Sequence, residues 1–543
     1  MKRINLISIA LVLLAVTACK DQLDVQNPNS PTPASAKTER GIIGFAQGGV
    51  YVNGFYDLKF YDGVPGRFWT GAVGFHDIMG DEIGEEAANV YGNQIGCPEN
   101  VVLDNGSSVP NPQSPKKQHD LLRLVNVNAQ QGNNPLFYEW AYMYAMNNAM
   151  NVTLSLVDGV SFTTDGPTKA AVVKAWAYFW KGYAYSRIGS LYYAGIINDE
   201  PYKSNGNYVD RNAILAEAEK NFAAAEAQLN GLTADDAYSS TLGAMIPDIC
   251  QVGKGGILAP DAWVRTINTM RARNILVNTT TAAMTSAQWD QILTLTTNGV
   301  KATDKVFTLR SNANGDLMSA SSGNIPAKTY GSTPQGGTYK VSERLIQDYN
   351  VGDKRKDNNF KEFPLAPWIG NADRGNIFNT RYAVLDGGAG MPGVVVLCDR
   401  SEGGYELYLA GTWEENELMM AEANINKASP NLTAAAASID LVRTAQGAGL
   451  APIGSVTAPV AKEELRKERR VALAFRGLSF YDARRWEVIT NGRTGCVVVD
   501  GTGTVNTNAT IQYNFLDYWD VPDNELAYNA PADGSAPVKN PIP

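Results

Sequence analysis

Histidine is nearly absent from this chain: there are two in 543 residues, His76 and His119. No HExxH occurs and no His/Cys set has metal-ligand spacing, so metal-assisted hydrolysis and His-based nucleophile chemistry have few routes. Cysteine is scarce, five in all with wide spacings and no CxxC, which argues against a zinc site. Positive charge is in deficit: the formal net charge is −9, and binding phosphate chains needs a net basic face, which argues against nucleic acid as a partner. The glycine-rich pieces Val252–Gly256 and Asp386–Gly393 lack the Walker and dinucleotide spacings and read as turns. No cofactor and no metal is called for. The apolar run Ile4–Val16 falls short of the roughly 20 residues that cross a bilayer core.

That run follows Lys2 and Arg3 and ends in Val16-Thr17-Ala18-Cys19, the pattern of a secretory signal. The small residues before Cys19 resemble the lipobox of bacterial lipoproteins, although Val16 stands where Leu is commoner. The resemblance implies cleavage before Cys19 and lipidation of its thiol. Lys20 and Asp21 resemble the short charged export signal of surface lipoproteins in the Bacteroidetes group. The expected organisation is a signal peptide over 1–18, a lipidated Cys19 with a Pro/Asn/Ser-rich tether over 19–37, and one domain over 38–543. Cys97, Cys250, Cys398 and Cys496 remain, with three possible pairings in an oxidising compartment.

The body reads as mainly α. Apolar residues recur at helical spacing over Pro135–Val157, Thr168–Gly189, Arg211–Leu229, Pro260–Asn278, Thr285–Val300, Thr412–Ala428 and Asn431–Gly447, with Gly189 as an expected C-cap. Adjacent amphipathic helices with small residues at their contacts read as a tetratricopeptide-like scaffold of helix pairs, without the strict 34-residue signature. Helix aromatics such as Trp176 and Trp180 read as core. Between the helices lie long ordered loops, about 60–134, 300–410 and 490–543, with little β structure expected.

One stretch, Glu464–Trp486, carries seven Lys or Arg against three acidic residues. Leu465, Glu468, Ala472 and Phe475 fall on one helical face. A carboxylate on an apolar stripe needs a partner, and Arg469, Arg470 or an Arg of the Asp482–Trp486 piece is expected to supply it. Glu422 poses the same problem on a neighbouring helix, so Glu422, Glu468, Arg469 and Arg470 are expected to form an internal ion network.

Four pieces in order, the lipidated N-terminus, Glu417–Asn426 ("ELMMAEANIN"), Leu465–Trp486 and Trp519–Ala530 ("WDVPDNELAYNA"), resemble the SusD/RagB family of outer-membrane lipoproteins. Ser342–Phe360 resembles an Asp-x-Arg segment of the same family. Arg476 departs from it, standing where a Glu is usual. The resemblance implies a tetratricopeptide-like fold and a non-catalytic protein on the cell exterior. It implies partnership with a TonB-dependent, SusC-like transporter barrel to which oligosaccharides, or in some members peptides, are passed.

Sugar binding needs flat aromatic faces beside planar polar groups. Loop residues suit that role best: Trp69, Phe75, Tyr91 and Asn93 in the first long loop, and Tyr330, Trp368, Asn371, Asp373 and Arg374 in the second. The cluster His76, Asp77, Asp81, Glu82, Glu85 and Glu86 offers oxygens for a hard cation but lacks EF-hand spacing, and reads as a solvated acidic loop or helix start. The competing readings are the same scaffold serving peptides or another nutrient, and a lipid-anchored hydrolase using two placed loop carboxylates.

Overall fold

In the computed structural model, residues 36–55, 68–85, 90–130, 134–312, 318–319, 325–331, 338–363, 377–513 and 515–541 are described. The helices are α1 Glu39–Tyr51, α2 Gly74–Met79, α3 Pro135–Val157, α4 Gly166–Leu191, α5 Arg211–Leu229, α6 Asp236–Met245, α7 Pro260–Val277, α8 Ser286–Thr297, α9 Trp413–Asn426, α10 Leu432–Ala445, α11 Ala458–Ala472 and α12 Ser479–Arg485. Further helical segments, among them Gln118–Val125, lie between and after them.

Local chemistry sets the helix ends. Asn134 caps α3 by accepting from Leu136 N–H, with Pro135 in the first turn, where a missing N–H costs nothing. Asp210 caps α5, and Thr285 with Gln288 forms a reciprocal capping box on α8. Gly189 does not end α4. The helix runs on to Leu191, capped by Tyr192. The glycine serves packing instead: a Cβ there would sit 2.9 Å from Leu215 Cγ and 3.0 Å from the Arg211 carbonyl, so its smallness lets α5 approach.

The helices pack as neighbours in a stack: α4 against α3 and α5, α8 against α7 and α9, and α9 against α10 and α11. One apolar core runs through the body from Ile42 to Val521, and a satellite cluster around Trp289 and Met419 joins α7, α8 and α9. Trp140, Trp176, Trp180, Trp263 and Trp519 are all fully buried. Among the described residues, no helix is long and apolar enough to cross a membrane.

The long segments between helices carry short strands that pin distant parts of the chain together. Among these strands are β1 Ile83–Glu85, β2 Asn100–Val102, β3 Ser108–Pro110, β4 Thr308–Asn312, β5 Tyr339–Val341, β6 Phe360–Glu362, β7 Tyr382–Val384, β8 Glu406–Tyr408, β9 Arg493–Val499 and β10 Val505–Gln512. Strands β9, β10, β2 and β3 form an antiparallel sheet in that order, with Ile511 opposite Val101. Strand β1 pairs with β5, so Ile83 meets Val341. Cys97, Cys250, Cys398 and Cys496 are buried, and none of the three pairings among them is formed.

Candidate functional site

The basic stretch folds as α11, a tight turn and α12. Helix α11 stops at Ala472, and Phe475 takes a φ of 61° and Gly477 a φ of 67°. The helical face therefore ends at Ala472, and Phe475 does not continue it. Leu465, Glu468 and Ala472 are buried.

Glu468 is not paired by its neighbours Arg469 and Arg470. Its partners are Arg355, at 2.6 and 3.0 Å, and Arg443, at 3.0 Å. Arg355 belongs to the Asp-x-Arg piece, and Asp353 holds the same guanidinium at 2.7 Å. Successive residues on a helix point about 100° apart, so Arg469 and Arg470 face other groups. Arg469 donates to Asp482 at 2.8 Å. Arg470 donates to Asp348 at 2.6 Å and to the carbonyls of Gly80 and Asp81. Glu422 accepts from Arg485, at 2.8 Å for the Nη2 bond, and from Trp486 Nε1 at 3.3 Å. Arg484 donates to the carbonyls of Ser190 and Val277, at the C-terminal ends of α4 and α7, and to that of Asp517, each at 2.8 Å. Arg476, the departure from the family pattern, contacts Thr412 and lies over the Tyr408 ring.

The acidic cluster is buried, and this overturns the solvated-loop reading: His76 and Asp77 are 0% exposed and Glu82 1%. Each group has a partner. His76 lies 2.8 Å from Glu139, which also accepts from Arg187. Burial alone would raise the Glu139 carboxyl, but Arg187 and His76 outweigh it and hold it at about 2. Asp81 accepts from Arg344, Ser342 and the Tyr513 hydroxyl. Glu82 accepts from Phe475 N–H at 2.8 Å, and Asp77 from Ser479 at 3.2 Å. Burial raises both of the last two carboxyls; the Glu82 charge adds to the rise at Asp77, and at Glu82 Arg470 opposes it while Asp482 and Asp348 add to it. Among the described residues, no three His, Cys, Asp or Glu side chains gather as a metal site. Glu86 lies outside the described residues.

Two hollows open on this lattice. A cavity of about 430 Å³ is bounded by Asp348, Arg466, Arg470, Arg493 and Trp486. A second, about 290 Å³, is bounded by Glu422, Asn426, Lys462, Leu465 and the same Trp486. Burial alone would raise the Asp348 carboxyl, but Arg493, Arg470 and Arg466 hold it well below the usual carboxylate range. Sequence reading missed both hollows. The only signal was a tryptophan at the end of a charged helix.

The loop candidates separate. Trp69 and Phe75 are each 4% exposed and belong to the aromatic core. Phe55 stacks on Trp69 at 5.7 Å, and Phe75 lies 6.1 Å from Tyr138. The reason is local: Phe68–Val73 and α2 are helical and pack inward. The cleft beside Trp69, about 20 Å³, is too small for a sugar ring. Asn93 is buried, donating to the Glu85 carbonyl at 2.5 Å. Tyr91 is in the helical turn Val90–Ile95, with its side chain outside the described part. Tyr330 is half-buried, with the Arg400 guanidinium 4.6 Å from its ring centre. Trp368, Asn371, Asp373, Arg374 and Cys19 lie outside the described residues.

Residues 417–541 match the family model described as the SusD family. No curated protein sequence matches the chain. A SusD-like carbohydrate-binding protein from Bacteroides fragilis superposes with a TM-score of 0.54 at 14% identity, covering 89% of this chain and 97% of its own. Surface glycan-binding protein A from Bacteroides fluxus gives 0.53 at 12%, covering 92% and 97%. A crystal structure with xylogluco-oligosaccharide gives 0.51 at 11%, covering 92% and 99%. These structures share the fold, and the family match covers α9 to the closing loop, where the ion lattice sits. What this chain shares with these proteins is a SusD-family match over residues 417–541 and the SusD-like fold of its described body.

Proposed function

We propose that this protein is a non-catalytic, lipid-anchored surface protein that captures oligosaccharide and delivers it to a TonB-dependent, SusC-like outer-membrane barrel. The observation that carries the reading is the SusD-family match over 417–541 on a body with the SusD-like fold. It is supported by relatives described as carbohydrate- or glycan-binding, one of them with xylogluco-oligosaccharide. In this reading Cys19 carries the lipid, 19–37 is the tether, and 38–543 is one domain facing the exterior. The ligand face is assigned to the second long loop, with Trp368 and Tyr330 as stacking surfaces and Asn371, Asp373 and Arg374 as hydroxyl partners.

The test is isothermal titration of the protein lacking residues 1–19 with xylogluco- and malto-oligosaccharides and with a peptide mixture, beside assays for released sugar. Saturable oligosaccharide binding, lost in Trp368→Ala and without turnover, is expected. Peptide binding alone would redirect the reading to a peptide carrier, and turnover would make the protein a hydrolase.

A further inference from the structure

The two hollows beside Trp486 lie on the α11–α12 lattice. Trp486, Glu463 and Arg466 line both of them. The volumes, about 430 and 290 Å³, are in the range of small-ligand sites.

The indole between them is fixed in place. Its Nε1–H donates to Glu422 at 3.3 Å, and the Arg485 guanidinium lies 4.5 Å from the ring centre. Glu422 and Arg485 are themselves buried and paired, so the ring is held before any ligand arrives, which lowers the ordering cost of binding. Trp486 is partly exposed.

Charge decides the ligand class. The larger hollow is lined by the cations Arg466, Lys467, Arg470 and Arg493. The same wall carries the anions Asp81, Asp348, Glu463 and Asp482. The smaller sets Lys462 and Arg466 against Glu422 and Glu463. Both are balanced, and most of these charges are spent on one another. Asp348 takes three guanidinium groups, and Asp482 takes Arg469 and Arg485. A charged ligand would meet no net field to offset its desolvation. A neutral, hydroxyl-rich ligand would find both donors and acceptors. Glu463 is half exposed and keeps further lone pairs beyond its bonds to Arg466. The Lys467 ammonium has one bond, to Asn350 at 3.2 Å. The Thr281 hydroxyl, lining the smaller hollow, has no partner.

We infer that the paired hollows at Trp486 form a second site for neutral saccharide, with the indole as the stacking surface and Glu463, Lys462 and Lys467 as hydroxyl partners. This rests on the capture of oligosaccharide proposed above, and adds to Trp368 and its neighbours a second stacking residue, Trp486. Two sites on one chain would let a long glycan be held at two points, raising its residence by effective concentration.

The test uses protein labelled with 5-fluorotryptophan, in which the ten Trp residues give separate fluorine resonances. Trp486→Phe and Trp368→Phe assign two of them. Titration with neutral xylogluco-oligosaccharide is expected to shift the Trp486 resonance saturably. Glu463→Ala, a surface change that leaves the fold standing, is expected to weaken that titration about tenfold, the worth of one charge-assisted hydrogen bond, while the Trp368 titration is unchanged. A Trp368 shift with Trp486 silent overturns this site and leaves the loop face intact. A Trp486 titration indifferent to Glu463→Ala, or stronger with acidic oligogalacturonate, overturns the assignment. No shift at any tryptophan overturns this site and the proposed function together.

Discussion

Arg355 grips Glu468 through both ends of its guanidinium, at 2.6 and 3.0 Å, across 113 residues of sequence. Arg443 adds a third bond to the same carboxylate. All three groups are buried. Removing the carboxylate would leave two buried cations short of a partner, and breaking such a pair from one side costs about 3–5 kcal/mol. Glu468→Ala is therefore expected to lower stability by that amount in urea unfolding at neutral pH. A loss near zero would mean that the network is dispensable.

Glu422 and Arg469 should not be equivalent. Glu422 takes both terminal nitrogens of Arg485 and the Trp486 indole N–H, so Glu422→Ala orphans two buried donors and a third that is partly buried. Arg469→Ala leaves Asp482 still paired with Arg485 at 2.7 Å. Both changes are expected to lower the melting temperature, with Glu422→Ala the more damaging. Oligosaccharide affinity at the second loop should stay put in both. Equal losses would mean that Asp482 depends on Arg469 as much as Arg485 depends on Glu422.

What the sequence made legible follows from what is local. Caps and periodicity are short-range, so Pro135–Val157 and Arg211–Leu229 are found where the spacing puts them. Gly189 misled because a glycine that lets α5 approach looks in sequence like one that ends a helix. The inward charge of Glu468 was readable from its place among Leu465 and Ala472, but its partners were not, since Arg355 and Arg443 arrive through tertiary packing. Trp69 and Phe75 read as loop aromatics because the short helical turns Phe68–Met79 offer too few residues to show a period. The acidic cluster read as solvated for the same reason, since Arg344 and Arg470, which hold it in the interior, lie hundreds of residues away.

Acid should release one part of this interior early. Glu139 falls from its ordinary 4.5 to about 2 between His76 and Arg187, against the opposing effect of its own burial. A carboxyl lowered by folding adds stability above its unfolded value and loses it as pH falls toward the folded one. The difference corresponds to roughly 3 kcal/mol, complete above about pH 4.5 and draining away toward pH 2. Unfolding free energies at pH 7, 4.5 and 3 should show the gap between wild type and Glu139→Gln narrowing with acid. A constant gap would rule out this linkage.

Glu82 should behave in the opposite sense. Burial raises its carboxyl above the ordinary 4.5, with Arg470 only partly opposing. A raised carboxyl burdens the folded state once pH exceeds the unfolded value, and the burden grows until the folded group ionises. Arg470 spends its donors on Asp348, Gly80 and Asp81, so it makes no hydrogen bond that Glu82→Gln would break. The amide oxygen can still accept from Phe475 N–H. Glu82→Gln is expected to melt higher than wild type at about pH 8.5 and to match it near pH 4. Destabilisation at both would show that the ionised carboxylate supports the turn.

Gly80 tests how tightly the acidic segment is seated on α12. Its carbonyl accepts from Arg470 at 2.6 Å, and a Cβ at this position would fall 2.0 Å from Ser479 Oγ and 2.6 Å from the Ser479 carbonyl carbon. The first clash could be relieved by rotating a hydroxyl, but the second involves backbone at the start of α12. The two segments would have to separate, straining the Ser479–Asp77 contact and the Arg470 bonds together. Overpacking of this kind costs about 1–3 kcal/mol, so Gly80→Ala is expected to lose stability in that range. Ser479→Ala combined with Gly80→Ala should recover little of it, because the backbone contact remains. Full recovery in the double variant would place the clash on the hydroxyl alone, and the seating of α12 would then be looser than the distances imply.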